Sequence, residues 1–74
     1  MDALNMTARE AKLHYGDGDF DVKRAGEYVS CTITGRKIPL DDLRYWSVAR
    51  QEPYADAAAS NEAERRAREA GEEF

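Results

Sequence analysis

The chain has one cysteine, Cys31, and one histidine, His14, which could form a thiol–imidazole pair that generates a nucleophilic thiolate. The alternation of apolar and polar residues places Cys31 beside Val29 on the inner face of a predicted strand. The same alternation places His14 on the outer face of another strand, opposite Leu13 and Tyr15. We therefore expect the two side chains not to meet, and we interpret Cys31 as a buried, unreactive residue.

A second set of residues suited to chemistry is the series Asp17, Asp19 and Asp21, which has the spacing of the opening of a calcium-binding loop. That loop also requires glycine at the position of Val22 and glutamate at the position of Tyr28, and neither is present. We interpret the series as a turn aspartate followed by the solvent face of a strand.

Asp41 and Asp42 are adjacent carboxylates that could act as an acid and a base. Adjacent aspartates that open a helical turn more often cap free N–H groups, and we favour that interpretation. The single cysteine excludes an intrachain disulfide framework and a zinc site of the four-cysteine or two-cysteine, two-histidine kind. We predict no enzyme activity, no metal and no cofactor.

The densest cluster of aromatic and charged residues is the segment LRYWSVARQEPY at residues 43–54. Arginine beside aromatic residues is typical of the residues that dominate protein interfaces. The candidate partner-docking residues are Arg44, Trp46, Arg50, Gln51, Glu52 and Tyr54. The alternative is that Trp46 and Tyr54 belong to the core and that Arg50 and Glu52 form a structural ion pair, because so small a domain needs its only tryptophan inside.

These residues must be positioned by secondary-structure elements, which the pattern of apolar residues and turns indicates. The pattern predicts an α+β fold with a small, hairpin-rich antiparallel sheet of about four short strands. A hairpin turns at residues 16–18, and the apolar face of its second strand continues through Phe20 and Val22. A third strand covers 27–34. Residues 38–40 are extended, 40–43 form a single helical turn, and 44–48 are β-like, with Trp46 and Val48 on one side.

A C-terminal helix is predicted from about Tyr54, where the composition changes to Ala, Glu and Arg. Pro53 fits its first turn, Asp56 or Ser60 could cap it, and Gly71 ends it. Its periodic apolar positions are alanines, so it either packs closely on a neighbour or projects into solvent. The chain thus divides into a frayed N-terminus at 1–10, a β-rich core domain at 11–54, and a helix and tail at 55–74.

Composition limits the partners and the location. The net charge of −4 and the pI of about 4.9 oppose binding to nucleic acid or to anionic membranes. No apolar run is long enough to span a bilayer, and the N-terminus lacks the pattern of a secretory signal, so we expect a cytoplasmic protein. A chain of 74 residues without disulfide or metal often gains stability by self-association, which makes a homodimer one hypothesis.

The segment from Cys31 to Tyr54, CTITGRKIPLDDLRYWSVARQEPY, resembles a bacterial family of short uncharacterised proteins, found mainly in alphaproteobacteria and classed as a domain of unknown function. Residues 10–15 and 18–20 are similar to that family's opening hairpin, and the resemblance covers roughly residues 9–60. The most specific part is the LRYWSVxRQExY pattern. The resemblance implies a compact bacterial cytoplasmic domain and no activity.

A second similarity concerns layout. Cys31-x-x-Thr34-Gly35, then a strand, then Tyr54 leading into a helix, is similar to small zinc fingers of the treble-clef type. Thr34 stands at the second position of the knuckle, and Ala55 and Ala59 stand where further cysteines would be expected. The similarity implies a relative that has lost its metal.

Two hypotheses about function follow. The first is a non-catalytic module that binds an unknown protein partner, with a homodimer as one form. The alternative is a regulatory domain derived from a metal-less zinc finger, which contacts nucleic acid or the transcription machinery. The acidic balance argues against the nucleic-acid part of the alternative.

Overall fold

Within residues 8–74, which the computed structural model describes, the strands pair into three separate antiparallel ribbons of two strands each. In chain order the elements are β1 (Lys12–Tyr15), β2 (Phe20–Arg24), β3 (Tyr28–Ser30), β4 (Lys37–Pro39), a 3-10 turn (Leu40–Asp42), β5 (Tyr45–Ser47), β6 (Glu52–Tyr54) and the helix α1 (Ala57–Glu69). The predicted α+β class is confirmed, with more and shorter strands than expected. The N-terminal segment predicted to fray, residues 1–10, lies outside the described residues as far as Thr7. Of its last three residues, Glu10 forms an isolated bridge with Tyr28.

The first ribbon, β1–β2, is the hairpin that the sequence predicts. The N–H of Gly16 donates to the carbonyl of Asp19 at 2.8 Å and closes a tight turn. Tyr15 lies opposite Phe20 and Leu13 opposite Val22. Tyr15 is buried, but Val22 is 52% exposed, so the prediction that the apolar face continues inward through Val22 is wrong. From Asp21 to Arg24 every residue of β2 is exposed, so β2 is the outer strand of the ribbon.

The second ribbon, β3–β4, is shorter than predicted because a tight turn replaces the end of the expected strand. The strand ends at Ser30, and the N–H of Gly35 donates to the carbonyl of Cys31 at 2.8 Å. Gly35 has a φ of 77°, which a glycine adopts without steric cost. The N–H of Cys31 donates to the carbonyl of Arg36 across the mouth of this turn. We call residues 31–35 the knuckle.

The third ribbon, β5–β6, contains Pro53, which the sequence places wrongly in the first turn of the helix. Pro53 lies opposite Trp46, and its carbonyl accepts the N–H of Thr32 from the knuckle at 3.1 Å. A proline is tolerated here because β6 is an edge strand. The nitrogen of Pro53 faces the open edge of the ribbon, so its missing N–H removes no hydrogen bond to β5. The helix therefore starts later, at Ala57.

Helix α1 begins and ends as its sequence signals indicate. The Asp56 carboxylate caps it by accepting the N–H of Ala59 at 2.8 Å, one of the two caps predicted. Gly71 has a φ of 73°, and the N–H of Glu72 returns to the carbonyl of Ala67, which closes the C-terminal turn. No helix within the described part of the chain is long and apolar enough to cross a membrane.

The alanine face of α1 packs against the protein. Ala59, Ala63 and Ala67 are all buried, and the helix contacts β5 and β6. Of the two alternatives left open by the sequence, close packing is the one observed. The buried core that it covers comprises Ala11, Tyr15, Val29, Cys31, Ile38, Leu43 and Tyr54.

Candidate functional site

Trp46 joins the first and third ribbons. Its ring lies 5.9 Å from that of Tyr15 and 5.7 Å, edge-on, from that of Phe20. Its indole N–H donates to the carbonyl of Gly16 at 2.8 Å. The half-buried Trp46 therefore uses both its apolar body and its polar atom to fix the hairpin on the third ribbon.

Gln51 has a structural task that the sequence does not reveal. Its Oε1 accepts the N–H of Tyr15, and its Nε2 donates to the carbonyls of Tyr15 and Val48, all within 2.9 Å. Its backbone has a φ of 55°, in the left-handed region. The amide therefore clamps the end of β1 to the β5–β6 turn.

Arg50 and Glu52 form the ion pair foreseen as the alternative to docking. Arg50 Nε lies 2.9 Å from Glu52 Oε1, and Arg50 Nη1 lies 2.7 Å from Glu72 Oε1. Hydrogen bonds to Glu72 and Glu52 raise the pKa of Arg50 above its usual value. The pair ties the β5–β6 turn to the C-terminal tail, and its partial exposure keeps its contribution to stability small.

Tyr54 is fully buried, with 0% of its surface exposed. Its ring stacks on that of Phe74, with centroids 5.9 Å apart and an interplanar angle of 10°. Burial raises the pKa of Tyr54, and its hydroxyl has no hydrogen-bond partner among the described residues. The nearby Ser47 hydroxyl instead accepts the N–H of Arg50. Tyr54 thus belongs to the core and has no free surface to offer.

Three other residues of this ribbon, one of them the predicted Arg44, have exposed side chains that take part in no ion pair or clamp within the described residues. Arg44 is exposed, and its Nη1 donates to the carbonyl of Asp41 at 3.2 Å. Tyr45 and Val48 are each 41% exposed. Val48 was expected on the same side of a strand as Trp46, but it lies in the turn after β5, so that expectation is wrong. We call Arg44, Tyr45 and Val48 the β5 rim.

Asp41 and Asp42 do not cap the 3-10 turn, which contradicts our interpretation of them. The residue at the cap position is Pro39, and no side chain accepts a hydrogen bond there. Both aspartates are exposed. They sit in the first turn, where carboxylates interact favourably with the free N–H groups of the backbone.

Cys31 is 2% exposed, as predicted, and lies in the knuckle. Its Sγ accepts the N–H of Thr34 at 3.4 Å. Burial alone would raise the pKa of the Cys31 thiol, but hydrogen bonds from Thr34 and from the backbone N–H groups of Ala55 and Ile33 together lower it. His14 is exposed on β1, and among residues 8–74 no group of three metal-ligating side chains lies together.

The similarity to a treble clef predicts a hairpin and then a helix after the knuckle, and along the chain the knuckle is followed by β4, the 3-10 turn, the β5–β6 ribbon and α1. Within the knuckle the N–H of Thr34 donates to the Cys31 sulfur, and Ala55, which follows β6, lies near enough for its backbone N–H to help lower the pKa of the thiol. Ala59 follows in the first turn of α1. These are positions at which the layout predicts ligands, and they are occupied by one thiol, one hydroxyl and two methyl groups.

A family described as an uncharacterised protein conserved in bacteria, DUF2093, matches residues 22–63, which is more than half of the chain. The chain belongs to DUF2093. The matched segment contains the knuckle, the β5 rim and the first half of α1. No curated protein and no solved structure matches the chain.

Proposed function

We propose that this DUF2093 protein is a non-catalytic interaction module that binds a protein partner through the β5 rim. The observation that carries the proposal is the exposure of Tyr45 and Val48, both 41%, beside the exposed Arg44. Tyrosine and arginine are over-represented among the residues that dominate binding energy.

The surroundings of the rim support the proposal because they hold it rigid. Trp46 anchors β5 to the hairpin, and Gln51 fixes the turn that carries Val48. A surface that is ordered before binding loses less conformational entropy when a partner docks. Of the docking residues predicted from the sequence, Arg44 contributes an exposed side chain to the rim, and Trp46 and Gln51 hold the rim in place.

A photo-crosslinking amino acid at position 45 tests the proposal in living bacterial cells. The matched control carries the same amino acid at position 61, on the exposed face of α1. We expect a discrete crosslinked partner from position 45 only, which Arg44→Ala weakens. Identical products from both positions, or none from position 45, would overturn the proposal.

A second candidate is the regulatory domain derived from a metal-less zinc finger, which contacts nucleic acid or the transcription machinery. The contact between Thr34 and the Cys31 sulfur favours it, because both residues stand at positions where the treble-clef layout expects ligands. The net charge of −4 weighs against direct binding to nucleic acid. A mobility-shift assay at low salt is the test, and the absence of any shift would eliminate the direct form.

A further inference from the structure

The outer edge of β2 offers backbone groups for pairing. The hydrogen bond between Gly16 and Asp19 fixes the order of the ladder in the first ribbon. In an antiparallel ladder alternate residues turn their backbone groups toward the partner strand, so Asp21 faces β1 while Phe20 and Val22 face away from it. The N–H of Phe20 is taken by the Asp19 carboxylate. By this register the N–H and the carbonyl of Val22 both point away from β1, toward the open edge of the ribbon.

The side chain on this edge is apolar. Among residues 8–74, Val22 has the largest exposed fraction, 52%, of the exposed large apolar residues. On the neighbouring strand it lies opposite Leu13, which is only half-buried. An exposed strand edge with an apolar side chain is a template for pairing with another strand.

The charges along β2 indicate which strand would pair. The strand and the turn before it carry Asp19 and Asp21 at one end, and Lys23 and Arg24 at the other. None of these four side chains takes part in an ion pair within the described residues. A parallel copy of β2 would place like charges together, whereas an antiparallel copy places the acidic end of each strand against the basic end of the other.

We propose that two copies of the chain pair edge to edge through β2, antiparallel, with a two-fold axis at Val22. Val22 then lies opposite the partner subunit's Val22, and Asp21 lies opposite the partner subunit's Lys23. The two ribbons become one four-stranded sheet, in which Leu13 and Val22 of both copies form a single apolar row. This self-association rests on the proposed interaction function as one mode of it, and it uses a surface separate from the β5 rim.

The register of the first ribbon limits the contact. The β1–β2 ladder is irregular between Lys12 and Leu13, because Leu13 pairs with Val22 and Lys12 with Arg24, which leaves Lys23 as an extra residue on β2. Such an irregularity and edge lysines normally discourage open-ended pairing. In this chain the irregularity and Lys23 restrict the pairing between the two β2 strands to one short register. The dimer therefore depends on protein concentration and does not grow into fibres.

Charge exchange at two exposed positions tests the proposal, with sedimentation equilibrium over a concentration series as the measurement. Asp21→Lys and Lys23→Asp each place like charges opposite one another twice across the axis. Each variant is expected to self-associate at least about tenfold more weakly than the wild-type chain. Mixing the two variants restores complementary pairs, so a heterodimer is expected, and the double variant is expected to regain a homodimer.

The control is Asn61→Lys on the exposed face of α1, which adds a charge and is expected to leave association unchanged. Circular dichroism confirms that each variant is folded. A wild-type chain that remains monomeric throughout its soluble range would overturn the proposal, as would a dimer that is insensitive to both exchanges. In either case the crosslinking result at position 45 stands independently, which separates failure of self-pairing from failure of the interaction function.

Discussion

Gln51 gives the most direct test of how this small domain is held together. Gln51→Ala removes the side-chain amide and keeps a non-glycine residue at a φ of 55°. The amide makes three hydrogen bonds, to the N–H and carbonyl of Tyr15 and to the carbonyl of Val48. At about 0.5–1.5 kcal/mol each, and allowing for partial exposure, their loss is expected to lower the free energy of unfolding by about 2–3 kcal/mol.

Gln51→Gly separates the hydrogen bonds from the backbone conformation. It loses the same bonds, but glycine adopts the left-handed region without the steric cost that a Cβ carries. We therefore expect Gln51→Gly to be less destabilising than Gln51→Ala by about 0.5–1 kcal/mol. This order is the reverse of the usual preference for alanine over glycine in ordered structure.

The assay is urea unfolding followed by the fluorescence of Trp46, the only tryptophan in the chain. Asn61→Ala on the exposed face of α1 is the control. A loss below about 0.5 kcal/mol for Gln51→Ala would refute the clamp, because changes of that size are usual at ordinary surface positions. Equal losses for the alanine and glycine variants would refute the argument about φ.

Three further predictions follow from the packing and charges described above. A methyl group at Gly26 would meet the backbone of Ala11 and lie 2.7 Å from the carbonyl oxygen of Arg9, so Gly26→Ala should cost about 3 kcal/mol in urea unfolding. Gly18→Ala, where nothing lies within 4 Å, is the control, and equal losses would contradict the crowding argument. Tyr54→Phe removes an unpartnered buried hydroxyl and should be neutral or stabilising by about 1 kcal/mol in the free energy of unfolding. Tyr54→Ala should cost about 3–5 kcal/mol. A clear loss of stability for Tyr54→Phe would show that the hydroxyl makes a hydrogen bond, which would contradict the prediction. The hydrogen bonds of Arg65 and Arg66 lower the pKa of Glu62 from 4.5 to about 2, so their contribution to stability is present above pH 4.5 and is lost as the pH falls to about 2. Glu62→Gln should flatten that part of the profile of thermal midpoint against pH, and a profile identical to that of the wild-type chain would contradict it.

Local signals predicted the elements whose causes are local. The glycine turn between β1 and β2, the Asp56 cap and the positive φ of Gly71 each depend on a few neighbouring residues. The alanine stripe of α1 follows from a period that is visible in the sequence, whereas its burial was one of the two alternatives that the sequence left open. These features and the α+β class could therefore be predicted from the sequence without knowledge of the tertiary structure.

The errors share a different cause. Pro53 joins a strand because β5 lies across from it, and the strand at Cys31 stops because the knuckle folds back on itself. Gln51 reaches Tyr15, which is 36 positions away in the sequence, and no periodicity reports such a contact. The docking role of the candidate residues stays a prediction, and composition alone does not distinguish an arginine such as Arg50, which pairs with Glu52 and Glu72, from one such as Arg44, which faces solvent.

The alanine face of α1 has a consequence for the entropy of folding. Ala59, Ala63 and Ala67 gain little from the removal of apolar area, yet they have no side-chain rotamers to lose when the helix docks. Leucine at the same positions would bury more apolar area. It would also lose side-chain conformational entropy on docking, and the available space fits only a methyl group. The helix is thus ordered at almost no side-chain entropic cost, which suits a chain with so small a core.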